Sequence, residues 1–180
     1  MMTRYGMLID TTRCTGCMAC RTACQMQNKL PAGESFIRYE FKDHGVGSAA
    51  QVESIPMQCM QCDDAPCERV CPTGATYTSE DGIVTIDQGK CIGCKYCMAA
   101  CPYQVRVVNE QTGTVDKCRF CTVSATHGTQ MNTCVTACNF GARLFGDLDD
   151  PNSEISVRIS ETNAQPLAGP LTDTKVFYVR

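Results

Sequence analysis

Cysteine is the residue type in this chain with the most chemistry available to it, because its thiolate binds metals and takes part in redox reactions. The 180-residue sequence contains sixteen cysteines. They form four groups of four along the chain: Cys14, Cys17, Cys20 and Cys24; Cys59, Cys62, Cys67 and Cys71; Cys91, Cys94, Cys97 and Cys101; and Cys118, Cys121, Cys134 and Cys138. This even grouping predicts four sites, each with four thiolate ligands.

The spacing within the groups indicates which kind of metal centre they hold. The first and third groups follow C-x2-C-x2-C-x3-C, which is typical of loops that bind cubane iron-sulfur clusters. Three of the thiolates point inward from one tight loop, whereas the fourth faces away and binds the neighbouring cluster in two-cluster ferredoxins. We therefore predict four [4Fe-4S] clusters that occur in interlocked pairs.

Two other uses of cysteine compete with clusters. A disulfide framework is typical of small secreted proteins, but residues 1–13 contain no apolar run long enough for a signal peptide. Structural zinc sites use two C-x2-C pairs rather than triplets with a fourth cysteine three residues later. The fourth group, C-x2-C-x12-C-x3-C, resembles a zinc ribbon on its own, and the three groups before it favour iron.

Composition narrows the remaining possibilities. The chain has no Trp and only six Phe and six Tyr, so clusters are expected to replace part of the apolar core. Sixteen thiolates and four cores of about +2 each would change the formal charge of −3 to about −11. This acidity and the absence of a Lys/Arg run argue against nucleic-acid binding. No apolar stretch is long enough to span a membrane.

The elements around the cysteines predict how the groups pair. Groups two and three both end in Cys-Pro, and the segment ATYTSEDGIVTID between them predicts a β-hairpin around Asp81-Gly82. These two groups therefore form one ferredoxin-like unit, and by exclusion group one pairs with group four. YGMLID, GARLF and TKVFYV are predicted strands, the last a terminal strand or extended arm, and DPNSEISVRISETN is a predicted capped helix.

The predicted fold class is α+β, with one two-cluster module inserted in another. Residues 1–30 and 114–146 form the outer module, residues 31–56 a connecting β-hairpin that covers the cluster region, and residues 57–113 the inserted module. Residues 147–180 form a C-terminal helix and tail. The predicted ligand sets cross between groups: Cys14, Cys17, Cys20 and Cys138 (cluster 1); Cys24, Cys118, Cys121 and Cys134 (cluster 2); Cys59, Cys62, Cys67 and Cys101 (cluster 3); and Cys71, Cys91, Cys94 and Cys97 (cluster 4).

Other side chains offer less chemistry. His44 and His127 are expected to be solvated, because cysteine already fills every ligand position. Six basic residues flank cysteines, where they would either stabilise a reduced cluster or remain surface charges: Arg13, Arg21, Lys90, Lys95, Lys117 and Arg119. No catalytic constellation is visible, so we expect a non-catalytic subunit without a substrate site.

The motifs CTGCMACRTAC, CMQCDDAPCERVCPTGA and CIGCKYCMAACPY, with the wide fourth group and FGARLFGDLDDPNSE after it, resemble one family over nearly the whole chain. It is the iron-sulfur electron-transfer subunit of molybdopterin oxidoreductases of the dimethyl sulfoxide, polysulfide, thiosulfate and tetrathionate reductase type. The resemblance implies a catalytic partner with a molybdenum or tungsten bis-pterin cofactor, and often a membrane anchor that exchanges electrons with quinol. It also implies that cluster 1 faces the catalytic subunit and cluster 4 lies at the far end.

Departures from related patterns refine this expectation. Nitrate reductase relatives carry Trp at the position of Cys94 and a three-iron cluster there, so Cys94 favours a complete cubane. The chain lacks the long C-terminal extension of formate dehydrogenase relatives. A polyferredoxin-like subunit of a hydrogenase or another redox complex is the alternative function. The expected location is the cytoplasm, or the outer face of the cytoplasmic membrane if a partner carries the chain there.

Overall fold

The computed structural model describes residues 3–121, 132–167 and 172–180. His127 and most of the x12 segment of group four lie outside these ranges. The described chain contains nine strands, five α-helices and a short 3-10 helix (Gly47–Ala49) between the second and third strands. The strands are β1 (Tyr5–Asp10), β2 (Arg38–His44), β3 (Gln51–Met57), β4 (Thr76–Thr78), β5 (Val84–Ile86), β6 (Val107–Val108), β7 (Val115–Asp116), β8 (Arg143–Asp147) and β9 (Val176–Val179). The helices are α1 (Ala19–Gln27), α2 (Pro66–Arg69), α3 (Tyr96–Ala99), α4 (Thr133–Thr136) and α5 (Glu154–Thr162).

Strand β1 is the centre of a three-stranded sheet with the order β8-β1-β9. It pairs antiparallel with β8 and parallel with β9. Successive side chains of a strand point to opposite faces. Met7 and Ile9 therefore enter the core that contains the cysteine loops, while Leu8 packs with Ile155 of α5 on the other face. The sheet separates a helix from the cysteine loops.

The remaining strands of the described chain form three antiparallel hairpins, β2–β3, β4–β5 and β6–β7. The hairpin predicted around Asp81-Gly82 is confirmed as β4–β5, with Thr76 opposite Ile86. The hairpin predicted between groups one and two is confirmed as β2–β3. It covers the first cysteine loop, because the Tyr39 hydroxyl lies 3.1 Å from the Cys20 sulfur.

The C-terminal segment forms both of its predicted elements. Helix α5 begins after Ser153, whose hydroxyl accepts a hydrogen bond from the Ser156 amide at 3.2 Å, and this cap satisfies a free N–H of the first turn. Strand β9 is a sheet member rather than an extended arm. Just before it, the Lys175 amide donates to the Met60 carbonyl and the Met7 amide donates to the Lys175 carbonyl. The C-terminal segment therefore joins the second cysteine loop to β1.

Candidate metal centres

The four cysteine loops share one backbone feature at the residue immediately before the second cysteine. Gly16, Gln61, Gly93 and Phe120 occupy this position and have φ values of 68°, 49°, 67° and 53°. A left-handed residue turns the chain sharply and aims successive backbone N–H groups toward one point, which creates a concave site for anions. All four groups, including the two without glycine, therefore adopt the same kind of turn.

The non-glycine residues at this position are held by burial and hydrogen bonds. Gln61 is fully buried; its amide nitrogen donates to the Cys118 carbonyl at 2.8 Å, and its amide oxygen accepts from the Val84 amide at 2.9 Å. Phe120 is also buried and packs edge-on against Phe145, with 5.3 Å between the ring centroids. These contacts offset the strain of a left-handed backbone, which costs about 1–3 kcal/mol for such residues.

Three cavities in the structure are each lined by four cysteines from two groups. The first joins three cysteines of group one with one of group four: Cys14, Cys17, Cys20 and Cys138. The second joins one cysteine of group one with three of group four: Cys24, Cys118, Cys121 and Cys134. The third joins one cysteine of group two with three of group three: Cys71, Cys91, Cys94 and Cys97. The structure thus brings together the cysteines of the predicted crossed sets 1, 2 and 4.

The thiols of the remaining predicted set, set 3, interact electrostatically with one another. Burial is the main cause that raises the pKa of Cys62 to about 11; repulsion of a thiolate there by Cys59, Cys67 and Cys101 adds to burial, and a hydrogen bond with Thr172 acts against it. Three of these cysteines belong to group two, and Cys101 belongs to group three. A low-dielectric site with four thiols strongly disfavours free thiolates, so a cationic iron core is the kind of ligand that would stabilise it.

Backbone amides contact the crossing cysteines. The Thr76 amide donates to the Cys71 sulfur at 3.4 Å, and the Ala142 amide donates to the Cys138 sulfur at 3.3 Å. Burial alone would raise the pKa of Cys71, but hydrogen bonds from Thr76 and Thr73 outweigh burial and lower it. Such N–H···S contacts favour the anionic form of a ligand and tune the potential of an iron-sulfur cluster.

The geometry bears on the two alternatives to clusters. All sixteen cysteines are free thiols, so no disulfide framework is present. Across residues 3–121, 132–167 and 172–180, no three His, Cys, Asp or Glu side chains come close enough to share one metal ion. A structural zinc ion needs four ligands at about 2.3 Å from a single atom. Cavities lined by four well-separated thiols suit a multi-iron core instead.

Comparison with known proteins gives the same result. Two family models described as 4Fe-4S dicluster domains match residues 13–75 and 50–148. A polysulfide reductase component of Wolinella succinogenes is 39% identical over 99% of this chain and 95% of its own length. A dimethyl sulfoxide reductase iron-sulfur subunit of Halobacterium salinarum, named as putative, is 37% identical over 99% of this chain and 79% of its own.

A third relative, the thiosulfate reductase electron transfer subunit of Salmonella typhi, is 42% identical over 82% of this chain and 78% of its own length. The chain belongs to this family of reductase iron-sulfur subunits. The resemblance seen in the cysteine motifs is therefore confirmed. Electron transfer through 4Fe-4S clusters is the function of the subunit.

Two arginines that the sequence analysis missed lie among the thiols of the iron-sulfur subunit. Arg106 is 5% exposed and Arg143 is 2% exposed. Burial acts against the charge of each guanidinium, but neighbouring thiols outweigh burial and raise the pKa of both arginines. A signal for them exists in the sequence, because each follows the last cysteine of its group by five positions, in CPYQVR and CNFGAR.

The basic residues that flank cysteines in the sequence have different surroundings. Lys117 is completely buried, and its ammonium group donates to the Val84 carbonyl and, at 3.0 Å, to the Cys118 carbonyl. Arg119 forms an ion pair with Asp116 at 2.8 Å, and Lys90 forms a long one with Asp87 at 3.8 Å. Lys117 also acts on the Cys67 thiol, so adjacency in sequence predicts only some of the cations that lie among the thiols.

The described part of the subunit contains no helix that is both long and apolar enough to cross a membrane. Its longest helices, α1 and α5, have nine residues each.

His44, predicted to be solvated, has an exposed ring that lies 3.1 Å from the Glu53 carboxylate.

Proposed function

We propose that the subunit holds four [4Fe-4S] clusters with the crossed ligand sets and passes single electrons between a molybdopterin catalytic subunit and an external donor or acceptor. The observation that carries the proposal is the crossing itself: each of three cavities combines three cysteines of one group with one of another. When bound, the clusters supply one-electron redox chemistry. The protein's part is to fix their positions, exclude water and set the charge around them.

The insertion of one two-cluster module in another is part of the proposal. Helix α1, which carries Cys20 and Cys24, packs on α4, which carries Cys134, although the two are far apart in sequence. Helices α2 and α3, which carry Cys67 and Cys97, pack on each other. These contacts support an outer module from residues 1–30 and 114–146 and an inserted module from residues 57–113.

Electrostatic interactions between thiols support a linear order of the four clusters, numbered as sites 1 to 4. Cys20 of site 1 acts on Cys134 of site 2, and Cys59 of site 3 acts on Cys118 of site 2. The packing of α2 on α3 brings Cys67 of site 3 near Cys97 of site 4. Exposed cysteines lie at the two ends, Cys17 in site 1 and Cys94 in site 4. The cysteines of sites 2 and 3 are buried or only partly exposed, so the two open sites lie at the ends, as a relay between two partners requires.

The partner subunits are inferred from the names of the relatives, which belong to reductase complexes. We propose that a catalytic subunit with a molybdenum or tungsten bis-pterin cofactor contacts the site 1 end, and that a membrane-anchor subunit or another donor contacts the site 4 end. The substrate of the complex, the direction of electron flow and the compartment follow from these partners. They are not encoded in the cysteine sites.

The first test is the composition of the anaerobically purified subunit, which we expect to carry about sixteen iron and sixteen sulfide per chain. About twelve or thirteen iron with a three-iron EPR signal would contradict the all-cubane proposal. Co-purification then identifies the catalytic chain. A molybdopterin protein supports the proposal, whereas a hydrogenase subunit supports the polyferredoxin alternative.

The second test uses two serine variants. Cys71→Ser should eliminate the EPR signal of site 4, and Cys101→Ser that of site 3. If each variant instead loses the cluster of its own sequence group, the crossed ligand sets are wrong. Cys94→Ser and Cys17→Ser test direction in the same way. The former should abolish only the reaction with the physiological donor, and the latter should also weaken turnover with a small artificial donor.

A further inference from the structure

Arg143 lies between the thiols of sites 1 and 2. Its Nη1 donates to the Cys134 sulfur of site 2 at 3.9 Å, and the guanidinium lines the cavity of site 1 beside Cys20. Cys134 and Cys20 are the two thiols with the largest influence on this arginine. One buried cation therefore faces ligands of both sites in the proposed outer module.

Arg106 has the same relation to sites 3 and 4. The thiols that act on it most strongly are Cys67 of site 3 and Cys97 of site 4. Its Nη1 donates to the Thr76 hydroxyl at 3.3 Å. Thr76 follows Cys71 by five positions, just as Arg106 follows Cys101, so the contact lies where the two halves of the inserted module meet.

Each of the two arginines has a buried side-chain nitrogen without a hydrogen-bond partner in the described part of the chain. Among the described residues, Nη2 of Arg106 and Nη2 of Arg143 are buried without a hydrogen-bond partner, and neither arginine pairs with a carboxylate. A buried unpaired charge is costly, and each unmade hydrogen bond of a buried polar group adds to that cost. Protein contacts alone leave these guanidinium groups unsatisfied, whereas an anionic cluster with thiolate ligands would satisfy them.

We propose that Arg106 and Arg143 are paired electrostatic bridges, one per two-cluster module, and that each raises the reduction potentials of both clusters beside it. The inference rests on the proposed ligand sets. During transfer one electron leaves one cluster and enters the other, while the guanidinium keeps its proton. A fixed cation between two clusters favours the reduced form of each, because the reduced cluster carries one more negative charge.

A purely structural role makes a different prediction. Arg143 Nη1 also donates to the Gln58 side-chain oxygen at 3.1 Å and contacts the Met7 sulfur at 3.3 Å, so its loss could simply disturb packing. Disturbed packing would lower cluster content or stability. It would not shift the potentials of two clusters together while leaving the other two unchanged.

The experiment is an EPR-monitored redox titration of the complete subunit, with signals assigned through the cysteine variants. Arg143→Met should lower the potentials of sites 1 and 2, and Arg106→Met those of sites 3 and 4. We expect at least about a tenfold change in the ratio of reduced to oxidised cluster at a fixed potential, which is about 59 mV for one electron. Each variant is the control for the other.

Two further variants separate charge from shape. Arg143→Lys keeps the charge, so the potentials of sites 1 and 2 should fall by less than half as much as they do in Arg143→Met. Arg158→Met removes a partly exposed cation that pairs with Glu161 on α5, and it should leave all four potentials unchanged. If Arg143→Met loses iron, the Lys variant still reports on charge.

The outcomes distinguish this inference from the proposed function. A wild-type subunit with fewer than four clusters would overturn both. A wild-type subunit with four clusters, and variants that shift no potential or shift all four equally, would overturn the arginine bridges alone. Equal loss of iron in Arg143→Met and Arg143→Lys would show that shape rather than charge matters, which also overturns the inference.

Discussion

The proposed outer and inserted modules hold the same number of cysteines with very different amounts of protein structure. The outer module includes β1 and β8 of the three-stranded sheet and the nine-residue helix α1. The inserted module has the short hairpin β4–β5, the two-residue strand β6, and two helices of four residues each. Its regular structure is too small to bury much apolar surface, so a greater share of its stability must come from metal–ligand bonds.

The exposure of the cysteines differs by site more than by module. Five of the eight inserted-module cysteines are partly or fully exposed: Cys62, Cys71, Cys91, Cys94 and Cys101. Four of the eight outer-module cysteines are partly or fully exposed: Cys14, Cys17, Cys121 and Cys138. Site 2 is shielded by the protein, whereas sites 1 and 4 are each open at one exposed cysteine. Access to a partner therefore depends on the position of a site in the proposed relay and not on the size of its scaffold.

The largest expected effect comes from removing iron. Anaerobic chelation should first abolish amide protection in β4–β5 and β6, and protection in β1 and β8 should disappear only as the last clusters leave. Hydrogen exchange with detection by mass spectrometry, measured at decreasing iron content, gives the order in which protection is lost. Simultaneous loss in both modules would show that the sheet gives the outer module no independent stability.

A glycine substitution should test the stability of the inserted module without removing iron by chelation. Gly93 has φ +67°, and an added Cβ would lie 2.4 Å from the Gly113 carbonyl oxygen, so Gly93→Ala combines backbone strain with a clash. We expect loss of cluster 4 and about 2–4 kcal/mol of stability. Gly74→Ala is the matched control, because Gly74 has φ +62° with open space around it. If the two variants behave alike, the close approach to Gly113 does not matter.

The hairpin β2–β3 offers a smaller test within the outer module. The Tyr39 hydroxyl is 3.1 Å from the Cys20 sulfur, and burial followed by this contact raises the pKa of Tyr39, so the hydroxyl stays protonated and can donate. Tyr39→Phe should lower the potential of cluster 1. At a fixed solution potential, the ratio of reduced to oxidised cluster 1 should fall by about threefold to tenfold, and the other clusters should be unaffected. Tyr77→Phe on the exposed face of β4 is the control. EPR titration that finds cluster 1 unchanged would assign Tyr39 a packing role.

The smallest effect concerns the ion pairs of Glu53. Hydrogen bonds from Arg180, aided by His44 and Thr11, lower the pKa of Glu53 from 4.5 to about 2 despite partial burial. A lowered carboxyl pKa stabilises the fold above the unfolded pKa, and this stability is lost as the pH falls from about 4.5 toward 2.

Glu53→Gln should therefore cost about 1–2 kcal/mol above pH 5 and progressively less in more acidic solution. Hydrogen exchange in β9 at pH 7 and thermal unfolding at lower pH measure the loss. Glu161→Gln breaks an exposed, 3.7 Å pair and should have no measurable effect. A constant difference between Glu53→Gln and the wild type through pH 4 would contradict the ion-pair explanation.

Most elements could be predicted from sequence because their signals are local. The segment YGMLID predicted β1, the Asp81-Gly82 turn predicted β4–β5, and the segment DPNSEISVRISETN predicted the capped helix α5. The left-handed turns at Gly16 and Gly93 also have a local signal, glycine. Those at Gln61 and Phe120 do not, because contacts from distant parts of the chain hold them.

The buried cations show the limit of local reasoning most clearly. Six basic neighbours of cysteines in sequence were expected either to stabilise a reduced cluster or to remain surface charges, yet the guanidinium groups among the thiols belong to Arg106 and Arg143, each five positions beyond a cysteine. The chain turns after Cys101 and after Cys138, and it places Arg106 just before β6 and Arg143 at the start of β8, each between two sites. Only the path of the backbone reveals this placement.

The proposed crossed ligand sets would also set an order for assembly during synthesis. Site 4 needs only residues up to Cys97 and site 3 only residues up to Cys101, so both can be filled while the rest of the chain is still being translated. Site 1 must wait from Cys20 until Cys138 emerges, which at about 5–20 residues per second leaves three thiols open for on the order of ten seconds. The first cysteines to leave the ribosome are the last to be completed, and they are the ones that most need a chaperone or a low-oxygen environment.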